Sequence, residues 1–168
     1  EFVGQRILSE REKALIARWA EQGAKEGPPE KMPELPSYPE GSTVGVPDLR
    51  LPVKPYFMPA NASDKFLLVK VPFELPHDTF AAVIEFVAGP KNVVHHVNGD
   101  MVKYEFEKKA SVFNGELMTD MVADTTIRQA FERLGLPNDD GTYPVLQKSV
   151  VNYLPGVFAL RYPQGIGG

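Results

Sequence analysis

Two adjacent histidines, His95 and His96, close the run Lys91-Asn92-Val93-Val94-His95-His96. The chain has only 3 histidines and no cysteine, so this pair holds most of its capacity for soft-metal ligation. Neutral imidazole is a good ligand for copper and zinc. Neighbouring side chains of a regular strand point to opposite faces. Two adjacent rings therefore share one ion only where the backbone is bulged or where a strand ends. Tight binding also needs a third ligand. His77, in Leu75-Pro76-His77-Asp78, is the other histidine, and a loop histidine is more often simply solvated. Met101, Met118 and Met121 offer thioethers to Cu(I), but a methionine is more often core packing.

Other chemistries are poorly served. Without cysteine, disulfides, thiolate zinc sites, iron–sulfur clusters and covalently attached haem are excluded within these residues. Asp139-Asp140-Gly141 lacks the alternating carboxylates and closing glutamate of a calcium loop, and reads as a turn. No Ser-His-Asp order, phosphate loop or dinucleotide fingerprint occurs. A net charge of -4, with no basic run, argues against a nucleic-acid partner. No apolar run of about 18 residues is present, so no transmembrane helix is expected.

The elements that must position the pair are legible in outline. Residues 8–27 read as a helix, with Ser9 and Glu12 spaced as a capping box and Leu8 as its staple. Leu15, Ile16, Trp19 and Ala20 form one apolar stripe. Gly23 or Gly27 ends it, and Pro28-Pro29 forbid continuation. Nine prolines between residues 28 and 59 leave few donors for a ladder, so residues 28–64 are expected to form an extended strap. Its apolar anchors, Tyr38 and Tyr56 among them, suggest a strap lying on a surface.

Strands are expected at 66–73, 79–87, 92–98, 101–107 and 145–154, with Gly99-Asp100 as a turn. A helix is expected over about 124–134, closed by Gly135. The spacing of turns predicts a mainly β fold, an antiparallel jelly-roll-like sandwich over 65–168.

With these residues in view, a family resemblance emerges. Asn92-Val93-Val94-His95-His96, following Ile84-Glu85-Phe86-Val87-Ala88-Gly89-Pro90, resembles the first-copper motif of ascorbate-dependent type II copper monooxygenases, the peptidylglycine hydroxylating monooxygenase-like group. Pro47-Asp48-Leu49-Arg50-Leu51, Tyr153-Leu154-Pro155-Gly156 and Tyr162-Pro163-Gln164-Gly165-Ile166 extend the likeness. Separately, Phe2-Val3-Gly4-Gln5-Arg6 with Ile16-Ala17-Arg18-Trp19 resembles the closing helix of a c-type cytochrome domain. On this view residues 1–27 correspond to that helix and 65–168 to the first copper domain.

The resemblance implies an extracytoplasmic, periplasmic setting and redox chemistry. It also implies a third histidine for the first copper and a second copper domain, neither of which these residues supply. The preferred expectation is accordingly an accessory, non-catalytic subunit without a bound cofactor. It would dock through Trp19, Leu15, Tyr38 and Tyr56 on protein subunits of a larger redox membrane complex, respiratory or photosynthetic. The alternatives are part of a copper monooxygenase that hydroxylates C–H bonds, or a copper-binding module using His95 and His96.

Overall fold

The computed structural model describes residues 5, 7–37, 40–121, 126–157, 159 and 161–165. The chain divides into two units, Glu1–Ser37 and Tyr38–Gly168.

In the first unit, helix α1 spans Glu10–Glu21. Its capping box forms as expected. The Ser9 hydroxyl accepts from the Glu12 amide at 3.3 Å, and the Glu12 carboxylate accepts from the Ser9 amide at 2.7 Å. Bonds from the Ser9 hydroxyl and then the Ser9 amide hold the Glu12 carboxyl below its ordinary range. The helix ends earlier than residue 27 because Gly23 takes a left-handed turn at φ +85°. Trp19 Nε1 then donates to the Lys25 carbonyl at 2.9 Å, folding the chain back along the last turn. No residue of α1 is buried. A single 3₁₀ turn, Pro29–Lys31, follows. From residue 32 to residue 66 the described residues form no strand or helix, as the prolines require.

The second unit carries two small antiparallel sheets and one helix. Strand β1 (Leu67–Val69) pairs with β3 (Met118–Asp120), Leu68 opposite Thr119. Strand β2 (Val97–Val102) pairs with β4 (Leu146–Tyr153), Val97 opposite Tyr153. Helix α2 (Ile127–Arg133) starts on Thr126 with a second capping box to Gln129 and stops at Gly135, φ +64°. The chain is therefore mainly β with antiparallel pairing, in small sheets.

Three strand expectations are corrected. Residues 79–87 form no strand. Their backbone contact is one bridge, Val83 to Arg161, beside a bond from the Tyr162 amide to the Ala82 carbonyl at 3.0 Å. Pro163, next along the partner segment, has no N–H to lengthen the ladder. Residues 92–98 and 101–107 are not two strands around a Gly99-Asp100 turn, because β2 runs straight through that dipeptide. Its register shifts between Gly99 and Met101, where Asp100 alone faces three residues of β4, 148–150, so the bulge belongs to β4 and the dipeptide makes no reversal. A Cβ on Gly99 would lie 2.8 Å from the Val151 Cβ, which is why the approach needs glycine. Asp100 Oδ1 accepts from the Ser149 amide at 2.9 Å and holds Ser149 at φ +59°. Ser149→Gly is expected to stabilise this bulge by up to about 1 kcal/mol by relieving the left-handed strain. A urea midpoint unchanged or lowered in that variant would contradict the assignment.

The interior is small and centred on the end of α2. Leu134 and Ala130 are completely buried, and Thr119 and Ala88 nearly so. The carbonyls just past the helix are collected by side chains from elsewhere. Lys70 Nζ donates to the Leu134 carbonyl at 2.6 Å and to the Asn114 carbonyl. The Tyr104 hydroxyl donates to Leu136 at 2.9 Å, and Lys109 Nζ donates to Pro137 at 2.6 Å. Cations at a helix C-terminus also meet the negative end of its dipole.

Two carboxylates finish this corner. Asp139 accepts from the Ala110 amide at 2.8 Å and pairs with Lys109 at 3.2 Å. Asp140 pairs with Lys108 at 2.6 Å and accepts from the Thr142 hydroxyl at 2.5 Å. Both carboxyls are held below the ordinary range, Asp139 chiefly by the Ala110 amide and Asp140 chiefly by Lys108. Depressed folded values mean that the stabilisation is complete above the unfolded pKa and is lost as pH falls below it. Thermal stability should hold near neutrality and decline below about pH 4. In Asp140→Asn the decline should be shallower, as followed by melting scans across acid pH. Tyr104 is shifted upward, first by burial and then by the Asp139 charge. Its contribution is complete below its ordinary pKa and is lost above about pH 10.

Candidate functional site

His95 and His96 lie in the three residues between a turn and β2, outside any ladder. The turn comes from Gly89-Pro90, where the Val93 amide donates to the Pro90 carbonyl at 3.1 Å. Ladder pairing begins at Val97, so the pair escapes the opposite-face rule that would separate it inside a strand. Both rings are exposed, with centroids 5.3 Å apart and planes at 86°. Two imidazoles bound to one ion at metal–nitrogen distances of about 2.0–2.1 Å have their centroids at about this separation. Among the described residues no group of three His, Cys, Asp or Glu comes together. His77 is exposed in its own bend and joins no such group. Met101 lies in β2 opposite Gln147, and Met118 in β3 opposite Val69.

The turn that presents the pair borders a groove of about 250 Å³. Its walls are residues 84–88 and 155–157, together with Thr43, Tyr153 and Lys91. Phe86 meets Tyr153 edge-on at 5.5 Å. Glu85 ties the strap to this wall. Its carboxylate accepts from the Thr43 amide at 2.8 Å and from the Thr43 hydroxyl at 2.5 Å. Burial alone would raise its pKa. Bonds from Ser42 and Thr43 and the charge of Arg161 outweigh burial, so the carboxyl is held down. Residues 84–88 and 155–157, distant in sequence, thus line one groove, and Arg161 bridges Val83 beside it.

The residues expected to dock partners are placed as follows. Leu15 is 44% exposed, Trp19 52% and Tyr56 41%, while Tyr38 lies outside the described residues. Sequence reading missed Glu85 and Lys70 as organisers. Each is a lone charge inside an apolar run, and that interruption was the available signal. No helix among the described residues is long and apolar enough to cross a membrane. No protein-family model matches the chain, and no curated protein or solved structure matches it significantly.

Proposed function

We propose that this chain is a structural subunit that works docked on a larger extracytoplasmic redox assembly. One observation carries the reading. The chain exposes 14224 Å². A compact monomer of its mass exposes about 8,200 Å², and two separate compact bodies of these sizes about 9,600 Å². The surplus is apolar in many places: Leu15, Ile16 and Trp19 on α1, Val46 and Phe57 on the strap, Phe80 and Phe106 in the second unit. Single exposed apolar residues are ordinary, but a surplus of this size calls for a covering surface. Two-stranded sheets are also marginal by themselves, and the sandwich architecture would be completed on docking. Proline restricts the unfolded strap, so spreading its contacts over a partner costs little ordering. The redox and extracytoplasmic setting rests on the resemblance to the copper monooxygenase and cytochrome families. Native extraction from the source, followed by mass spectrometry of co-purifying chains, should recover the protein in a larger complex. A monomer whose amide protection already extends through residues 40–66 would overturn the proposal.

The His95–His96 arrangement favours a second reading, a copper-bearing part of a C–H hydroxylating monooxygenase. The two imidazoles would hold the electron-donating copper, with oxygen and a reductant such as ascorbate as co-substrates. The ring spacing and the freedom from the ladder fit that role, and no third His, Cys, Asp or Glu joins the pair among the described residues. Titration with Cu(I) and Cu(II) should show binding that the His95→Ala/His96→Ala double variant abolishes. Affinity equal in the variant would sink this reading.

A further inference from the structure

The chain contains two Asn-Gly dipeptides, Asn98-Gly99 and Asn114-Gly115. This dipeptide is where a backbone nitrogen most easily attacks the preceding side-chain amide, since glycine offers no Cβ to obstruct it. The two copies stand in opposite environments. Asn98 and Gly99 lie in β2, opposite Asn152 and Val151, and the ladder holds them extended. Asn114 is exposed in a loop, and Gly115 sits in a bend at φ +88°. The Gly115 N–H makes no hydrogen bond among the described residues. Lys70 Nζ donates to the Asn114 carbonyl, the oxygen of the very amide whose nitrogen is Gly115. A cation on an amide oxygen favours the deprotonated, nucleophilic form of that amide.

We propose that Asn114-Gly115 is a built-in modification site, where spontaneous succinimide formation releases the end of α2. The Gly115 nitrogen loses its proton to water and attacks Asn114 Cγ. The new N–Cγ bond forms, the Cγ–Nδ2 bond breaks, and the side-chain nitrogen takes a proton back from water and leaves as ammonia. Water then opens the ring at either carbonyl, giving aspartate or isoaspartate with no change of oxidation state. The isoaspartyl product routes the main chain through an additional carbon. Gly115 itself packs directly on the Leu134–Gly135 backbone, so close that an added Cβ would lie 2.6 Å from the Leu134 carbonyl carbon, and lengthening the chain at residue 114 displaces that contact. The neighbouring bond from the Glu116 amide to the Arg133 carbonyl, 2.8 Å, would be lost with the close approach.

Ageing the folded protein in mildly alkaline buffer, with isoaspartate located by peptide mapping, tests the proposal. Asn114 should convert at least about tenfold faster than Asn98, which must wait for its ladder to open. In denaturant the two rates should converge. Lys70→Met, aged below its melting temperature, should slow Asn114, whereas Lys70→Arg keeps the cation and should not. Equal rates for Asn114 and Asn98 in the folded wild-type chain would overturn the proposal even if Lys70→Met fails to fold. A folded Lys70→Met protein with an undiminished Asn114 rate would overturn the role given to Lys70.

Discussion

Gly115→Ala is expected to cost about 3–5 kcal/mol, combining left-handed backbone strain with a main-chain collision. Gly115 has φ +88°, and its added Cβ would meet the Leu134 carbonyl carbon at 2.6 Å and the Gly135 nitrogen at 2.7 Å. These are backbone atoms beside the completely buried Leu134, so no side chain can swing away. Gly135→Ala should behave alike, since its Cβ would lie 2.7 Å from the Asn114 carbonyl oxygen at φ +64°. Gly141→Ala is the control. Its φ is +82°, but nothing lies within 4 Å of the added Cβ, so only the backbone term of about 1–2 kcal/mol applies. Urea unfolding of the three variants separates the two contributions. Equal losses at Gly115 and Gly141 would show that the close approach carries no weight.

Lys70→Met should cost about 2–4 kcal/mol, since among the described residues no other side chain donates to the two carbonyls it serves. The lysine reaches both the Leu134 and the Asn114 carbonyls, joining the start of the β1–β3 region to the end of α2. Its pKa is lowered, by burial first and by repulsion from Lys109 second. A depressed lysine gives a distinctive sign. Just below the ordinary lysine range the unfolded chain binds more protons, so stability rises with pH there. That rise should vanish in Lys70→Met. By contrast Lys108→Met breaks an exposed, solvent-screened pair with Asp140 and should cost far less than Lys70→Met. Melting temperatures of both variants, taken across mildly alkaline pH, check the contrast. A Lys108 effect as large as that of Lys70 would mean that charge pairing, not carbonyl capture, holds this corner.

Much of the local structure was legible in the residues. Ser9 with Glu12 closes the expected capping box and Gly135 ends α2 as expected, whereas the second box, Thr126 with Gln129, is seen only in the structure. The proline strap lacks strands because proline lacks the donor wherever it stands. The strands were less legible, since pairing needs a partner. The apolar run 79–87 has strand composition, but its neighbour offers Pro163 and only one bridge forms. Gly99-Asp100 has the composition of a turn, and only pairing with β4, which bulges at 148–150 opposite Asp100, keeps it extended.

The candidate site divides in the same way. That His95 and His96 are adjacent, and that little else in the chain ligates a soft metal, follows from the order and types of the residues alone. The tertiary structure decided that the pair falls before the ladder, with its rings 5.3 Å apart. It also decided that Glu85 holds Thr43 across 42 positions and that Lys70 reaches Leu134 across 64. Capping and turn chemistry act over three or four residues and are written in order along the chain. Contacts across tens of residues depend on how the whole chain returns on itself, and no local pattern encodes that.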